Sequence, residues 1–265
     1  MKDINPILYK DTLKGEAAIV QKIARVRAFN KTKKCIEMYC AMEKSHGGLY
    51  INSDLFKEIF PEFSRNKETR KKFDLAVHNS SAWLAQKLFE EKIKDPSVKE
   101  CIFLTGVPGA GKSFYIQSLF EEHKISDGTI IFEGSLCNLE AAIAKFKMLE
   151  ERGIKIRIQI IHADPVLIYQ NVLQRENENG RGATLATLAY ITSELRGAVT
   201  KLNELFDISE IGLFSKVGNN DNVTLYEGEE AIKMLPICTR AEARATYEAI
   251  IAANEGMALK WVINL

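Results

Sequence analysis

The residues best placed to do chemistry are Gly106-Val107-Pro108-Gly109-Ala110-Gly111-Lys112-Ser113. They form a complete G-x-x-x-x-G-K-[ST] loop, the spacing that cradles the phosphates of a nucleoside triphosphate. Its glycines let the backbone curl so that N–H groups converge on phosphate oxygens. A helix opening at Lys112 adds the partial positive charge of its N-terminus. Lys112 is expected to reach the β- and γ-phosphates, and the Ser113 hydroxyl to bind Mg²⁺. Gly106, Pro108, Gly109, Ala110, Gly111, Lys112, Ser113 and Phe114 are thus the expected ATP-binding set, with Phe114, Ile116 and Leu119 also available for helix packing.

A phosphate loop alone does not separate a motor, a switch and a kinase. Three further constellations bear on that choice. Asp54 ends a short expected strand, and ligands of parallel sheets bind at the carboxyl ends of strands. Its carboxylate can accept the proton of an attacking hydroxyl, or it can simply cap a helix beginning at Leu55. Glu133-Gly134-Ser135 closes another strand. Glu133 can grip a substrate hydroxyl or a metal-bound water, or be no more than a strand end. Arg175 and Arg181 bracket the polar stretch Glu176-Asn177-Glu178-Asn179-Gly180, expected to be a loop. Two arginines there can close over a triphosphate and neutralise transition-state charge, or lie on the surface.

The elements that must position these residues follow from hydrophobic period and breakers. Residues Asp3 to Lys44 read as helical, with Ile19, Ile23 and Val26 on the apolar face. The basic run Lys22, Arg25, Arg27, Lys31, Lys33 and Lys34 reads as a solvated face, or as a contact surface for an acidic partner. His46-Gly47-Gly48 breaks that stretch, and Leu49-Tyr50-Ile51 is a short strand. A long helix runs from about Lys67 to Lys94 and stops before Pro96. The apolar run Cys101–Leu104 suits a strand buried on both faces. A helix from Lys112 to His123, a strand Thr129–Phe132, a helix Leu139–Arg152 and a strand Ile154–Ile161 complete the alternation. Further helices are expected over Pro165–Arg175, Leu185–Phe206 and Arg240–Ala253, and Trp261-Val262-Ile263 as a final strand or an apolar anchor. Alternating strands and helices imply an α/β fold: a mostly parallel sheet covered by helices in three layers, as in P-loop NTPases, with an extra N-terminal helical segment. The expected division is residues 1–46 as that extension and 47–265 as the nucleotide-binding domain.

Composition narrows the class. In 265 residues, Lys plus Arg number 36 and Asp plus Glu 35, for a net charge of +1. Bulk charge therefore does not hold the chain on nucleic acid or anionic membrane, which makes a nucleic-acid partner an unfavoured expectation. A polynucleotide would need a basic, aromatic-lined groove, for which Arg65, Lys67, Arg70, Lys71 and Lys72 are the candidates. Five cysteines without a C-x-x-C pair and four scattered histidines show no zinc spacing. They fit a reducing, cytoplasmic setting. No signal peptide and no apolar run of about 20 residues is visible, so no membrane association is expected.

Taken together, several segments resemble the zeta toxins, small P-loop kinases that phosphorylate a hydroxyl of a UDP-activated amino sugar. The likeness is carried by Thr129-Ile-Ile-Phe-Glu-Gly-Ser-Leu-Cys-Asn138 with Arg152-Gly153, and by Arg175 followed by Asn179-Gly-Arg-Gly-Ala183. It extends to Ile51-Asn-Ser-Asp-Leu-Phe-Lys57 with Pro61-Glu-Phe63, to Val77-His78 and Gln86, and to Gly212-Leu-Phe214, covering roughly Leu49 to Tyr226. The resemblance implies that Asp54 is the general base and that Lys112 and Ser113 hold ATP and Mg²⁺. It implies that Glu133 and Ser135, with Gln86, contact the sugar nucleotide, UDP-N-acetylglucosamine by preference, and that Arg175 and Arg181 stabilise the transferring phosphoryl group. It also implies an antitoxin as partner; the N-terminal segment, outside the likeness, either restrains the enzyme in cis or simply completes the sheet's helical layer. The chain departs from the family in order, since Asp54 precedes the phosphate loop as in a circular permutation. Gln86 replaces an acidic residue usual there, and Cys137 a frequent basic one. The alternatives are a polynucleotide or antibiotic kinase on the same scaffold, and an ATP-dependent switch that phosphorylates nothing.

Overall fold

β-branched and aromatic residues fill the strands of this protein. The computed structural model describes residues 5–217 and 223–254. The strands are β1 (Tyr50–Asn52), β2 (Glu100–Thr105), β3 (Thr129–Glu133), β4 (Lys155–Ala163), β5 (Ile208–Lys216) and β6 (Thr224–Glu227). They make a six-stranded sheet in the order β1-β3-β2-β4-β5-β6. Pairing is parallel between β1 and β3, β2 and β4, and β4 and β5; β6 runs antiparallel to β5. The helices are α1 (Gly15–Asn30), α2 (Thr32–Cys40), α3 (Ser53–Phe56), α4 (Pro61–Ser64), α5 (Lys67–Lys92), α6 (Lys112–Glu121), α7 (Leu139–Glu150), α8 (Pro165–Asn179), α9 (Leu185–Leu205), α10 (Gly228–Lys233) and α11 (Arg240–Ala253). The α/β class with a mostly parallel, helix-flanked sheet is the one expected from the alternation of elements.

The chain divides into two compact units. The first comprises Met1–Pro96 with Ile130–Glu133 and Glu178–Arg181, and the second Ser97–Thr129, Gly134–Asn177 and Gly182–Leu265.

In the first unit α1 packs on α5, and the small residues Ala24 and Ala28 of α1 are buried. Tyr39 of α2 stacks on Phe56 of α3, ring centroids 3.7 Å apart, beside buried Phe60 and Phe63. An Asn66–Thr69 capping box starts α5. The expected helix over Asp3–Lys44 proves shorter. Residues 5–14 are not helical but strapped along α1, and polar side chains do the strapping. The Gln21 amide pairs with Lys10 in both directions, accepting from its N–H at 2.9 Å and donating to its carbonyl at 3.1 Å. Arg25 donates from Nε to the Ile7 carbonyl at 2.8 Å. The face α1 buries is therefore Val20, Gln21, Ala24, Arg25 and Ala28. Ile19, Ile23 and Val26 face solvent. The basic run is not all solvated either. Arg25 is buried, and Arg27 makes a two-pronged pair with Glu62 at 2.9 Å.

In the second unit β2 buries Cys101–Thr105, and β4 buries Ile156, Ile158, Ile160 and Ile161. Phe103, Phe146 and Phe206 lie in series, the first pair tilted and the second edge to face, with centroids 4.4 and 5.3 Å apart. At the amino ends of the strands, Arg157 bridges Glu100 at 3.3 Å and Glu210 at 2.6 Å. Helix α8 continues to Asn179, so the stretch expected to be a loop after Arg175 is helical. Strands β5 and β6 lie beyond the elements expected from sequence; a Cβ on Gly212 of β5 would stand 2.6 Å from Gln159 Oε1 of β4. Trp261-Val262-Ile263 lies outside the described residues.

Candidate functional site

The phosphate loop lies within the second unit. Strand β2 ends at Thr105 and α6 begins at Lys112, leaving Gly106–Gly111 as the turn between them. Gly106 has φ +135°, and a Cβ there would stand 2.1 Å from the Ile161 carbonyl oxygen of β4. Gly109 has φ +91°, and its Cβ would stand 2.6 Å from the Ile168 carbonyl oxygen of α8. Only glycine satisfies both the dihedral angle and the space. The Lys112 ammonium donates to the carbonyls of Gly106 at 2.8 Å and Val107 at 3.2 Å, so it lies over the loop. Helix α8 braces the loop from the side: Asn171 Nδ2 donates to the Gly109 carbonyl at 2.8 Å. Arg175 follows Asn171 by four residues and therefore shares its face of α8. Ser113 is exposed at the first turn of α6. Phe114 is 79% exposed; Ile116 instead provides the packing of α6. A curled backbone without Cβ atoms, a helix N-terminus and a lysine over the loop are a donor set that fits phosphate. For a metal the loop supplies the Ser113 hydroxyl. Among the described residues no group of three or more His, Cys, Asp and Glu side chains forms a metal cluster.

The carboxylates gather in the first unit. Asn52 pairs in register with Glu133, so β1 and β3 end side by side at their carboxyl ends. Two tyrosines fix this end. Tyr39 Oη donates to the Tyr50 carbonyl at 2.7 Å and accepts from the Asn52 N–H at 3.0 Å. Asn52 Nδ2 donates to Tyr50 Oη at 2.7 Å, and Tyr50 Oη donates to the Glu133 carboxylate. Burial, with the Glu133 charge second, pushes the Tyr50 phenol well above its ordinary value, so it stays a proton donor. Burial likewise raises the Tyr39 phenol. Glu133 is therefore a held carboxylate and not a loose strand end.

Asp54 follows two residues after β1, and it does not cap α3. Asn52 takes that role, accepting from the Leu55 N–H at 2.9 Å. The Asp54 carboxylate, 47% exposed, instead pairs with Lys57 at 2.8 Å. Lys57 is 5% exposed and also contacts Asp74 of α5 at 2.7 Å. His78 is held below its ordinary value, first by burial and then by Lys57.

The remaining candidates divide between the units. Gln86 lies on α5 and donates to Glu90 at 3.1 Å. Arg181 follows the αL turn at Gly180, and its N–H donates to Asn179 Oδ1 at 3.0 Å. Ser135 is half-buried, and its carbonyl accepts from Cys137 Sγ at 3.2 Å. Next to it Leu136 has φ +58°, a conformation that costs a branched residue on the order of 1–2 kcal/mol. Asp54, Gln86, Glu133 and Arg181 thus belong to the first unit, and the phosphate loop, Ser135 and Arg175 to the second. Arg175 lies within α8, which runs on past its expected end to Asn179. Reasoning from sequence missed Lys57, Tyr50, Asn52 and Asn171. Only Lys57 left a signal, an i, i+3 spacing from Asp54; the other three act through contacts distant in sequence or through a cap.

A scan against protein-family models finds no match to this chain, and a search of curated proteins finds none.

Proposed function

We propose that this protein is an ATP-dependent kinase that transfers the γ-phosphoryl group to a hydroxyl of a small molecule. The nucleotide half of the reading is supported by the Gly106–Ser113 cradle. The observation that carries a kinase over a switch is Asp54. It is a half-exposed carboxylate at a strand's carboxyl end, released from capping by Asn52. A switch has no use for such a group.

The loop N–H groups and Lys112 hold the triphosphate, and Ser113 offers its hydroxyl to Mg²⁺. The metal, when bound, neutralises charge on the phosphates. Asp54 orients the acceptor hydroxyl and takes its proton as the bond from oxygen to the γ-phosphorus forms. The bond from that phosphorus to the β–γ bridging oxygen breaks, and the proton passes from Asp54 to solvent. Arg175 and Arg181 offset the charge on the transferring group. Glu133, held by Tyr50, presents a fixed acceptor for a substrate hydroxyl or amide. By the resemblance described above, the acceptor class is a UDP-activated amino sugar, with an antitoxin-type protein as partner and the cytoplasm as setting. The experiment is substitution of Asp54 by Asn, which should leave ATP binding intact and remove transfer.

A further inference from the structure

We propose that Lys57 is a positioning residue for Asp54, and that Asp74 sets how firmly it holds. This rests on the kinase reading and adds to it the device that keeps the base in place. Lys57 stands between the two carboxylates, 2.8 Å from Asp54 Oδ1 and 2.7 Å from Asp74 Oδ1. Its side chain is 5% exposed, against 47% for Asp54 and 35% for Asp74. A buried ammonium must be paired, and one carboxylate suffices to neutralise it. Lys57 is shared by two carboxylates, and the more exposed of them is Asp54.

That arrangement has a chemical consequence. Oδ1 of Asp54 is fixed by a cation that cannot swing away, because Asp74 anchors it from α5. In general a neighbouring ammonium favours the ionised form of a carboxylate, the form a base needs. The charged and titratable groups acting on Lys57 and His78 include Asp54 from α3, Asp74 from α5 and, for His78, Lys10 from the N-terminal strap. Burial first, then Lys57, holds His78 below its ordinary value. Asp54 and Asp74, outweighing burial, keep Lys57 protonated.

The alternative is that the bridge only ties α3 to α5. The two are separated by the pH–rate profile of transfer to whichever acceptor the wild-type protein phosphorylates. Lys57→Met should lower kcat by up to about 100-fold through lost alignment, with ATP affinity unchanged. The acid limb of its profile should move to higher pH by about 1–3 units. Lys57→Arg should restore most of the rate. Asp74→Asn leaves Asp54 as the only carboxylate on Lys57, so its acid limb should move the opposite way, to lower pH. This second variant carries the test if Lys57→Met does not fold. Limbs that stay at the wild-type position in the folded variants overturn the inference and leave the kinase reading standing. A wild-type protein that phosphorylates no acceptor overturns both.

Discussion

At the scale of single residues, two tyrosine hydroxyls decide where the candidate carboxylates lie. Tyr39 gives and receives a hydrogen bond across β1, and the groups it serves, the Tyr50 carbonyl and the Asn52 N–H, are buried. Tyr39→Phe keeps the stack on Phe56 and deletes only the hydroxyl. The orphaned groups should cost about 1–3 kcal/mol, read as a lower urea midpoint at unchanged m-value. A midpoint equal to that of the wild type would show that the hydroxyl is not needed to hold β1. The same scale shows what the sequence hides. Asp54 was equally readable as a base or as a helix cap, because both functions want a carboxylate near the start of a helix. The cap is at Asn52, two residues earlier. Ser53 separates them, and spacing alone does not say which of Asn52, Ser53 or Asp54 turns inward.

At the scale of elements, the phosphate loop was legible almost residue by residue. Its glycine spacing has one use, and the strand before it is buried as expected, although in the helix after it Ile116 is buried and Phe114 is not. Its brace was not legible. Asn171 reaches the Gly109 carbonyl from α8, 62 residues further along the chain, and no local pattern marks such a contact. We expect Asn171→Ala to lose one hydrogen bond, about 0.5–1.5 kcal/mol, and so to weaken ATP binding by about 2- to 10-fold. Calorimetric titration of the folded variant checks this, and wild-type affinity would remove Asn171 from the site. Helix α1 carries a lesson in the other direction. Its Ile19, Ile23 and Val26 have helical spacing, yet the buried face is the one with Ala24, Ala28, Gln21 and Arg25. Close packing on α5 favours small residues, and the strap of residues 5–14 satisfies the polar ones. An apolar stripe marks a helix more reliably than it marks the side that helix buries.

At the scale of the whole molecule, the α/β class was visible in the alternation of elements, whereas the sheet order and β6 were not, since strand order depends on pairings between distant segments. A global property follows from the histidines. Burial holds His46, His78 and His162 below their ordinary value. Their unfolded value is about 6.5, so the unfolded chain binds protons first as pH falls. Stability is therefore full above about pH 6.5 and is lost as pH drops below it, down to the folded values. The melting temperature should fall between about pH 7.5 and pH 5.5, and His78→Gln with His162→Gln should flatten the slope. A melting temperature that holds or rises on acidification would contradict the burial of these rings. The carboxylates held low by partners, such as Glu62 beside Arg27, act only at lower pH, because their unfolded value is about 4.3.

The central claim is that a triphosphate held by Lys112 gives up its terminal phosphoryl group to a hydroxyl served by Asp54. Its most direct test supplies γ-labelled ATP and Mg²⁺ with a panel of UDP-sugars, nucleosides and short RNA, to the wild-type, Lys112→Ala and Asp54→Asn proteins. The account predicts label on a UDP-amino sugar with the wild type, none with Lys112→Ala, and none with Asp54→Asn although that variant still binds ATP. Label confined to RNA ends, label on no acceptor, or an Asp54→Asn protein that transfers as fast as the wild type would contradict it.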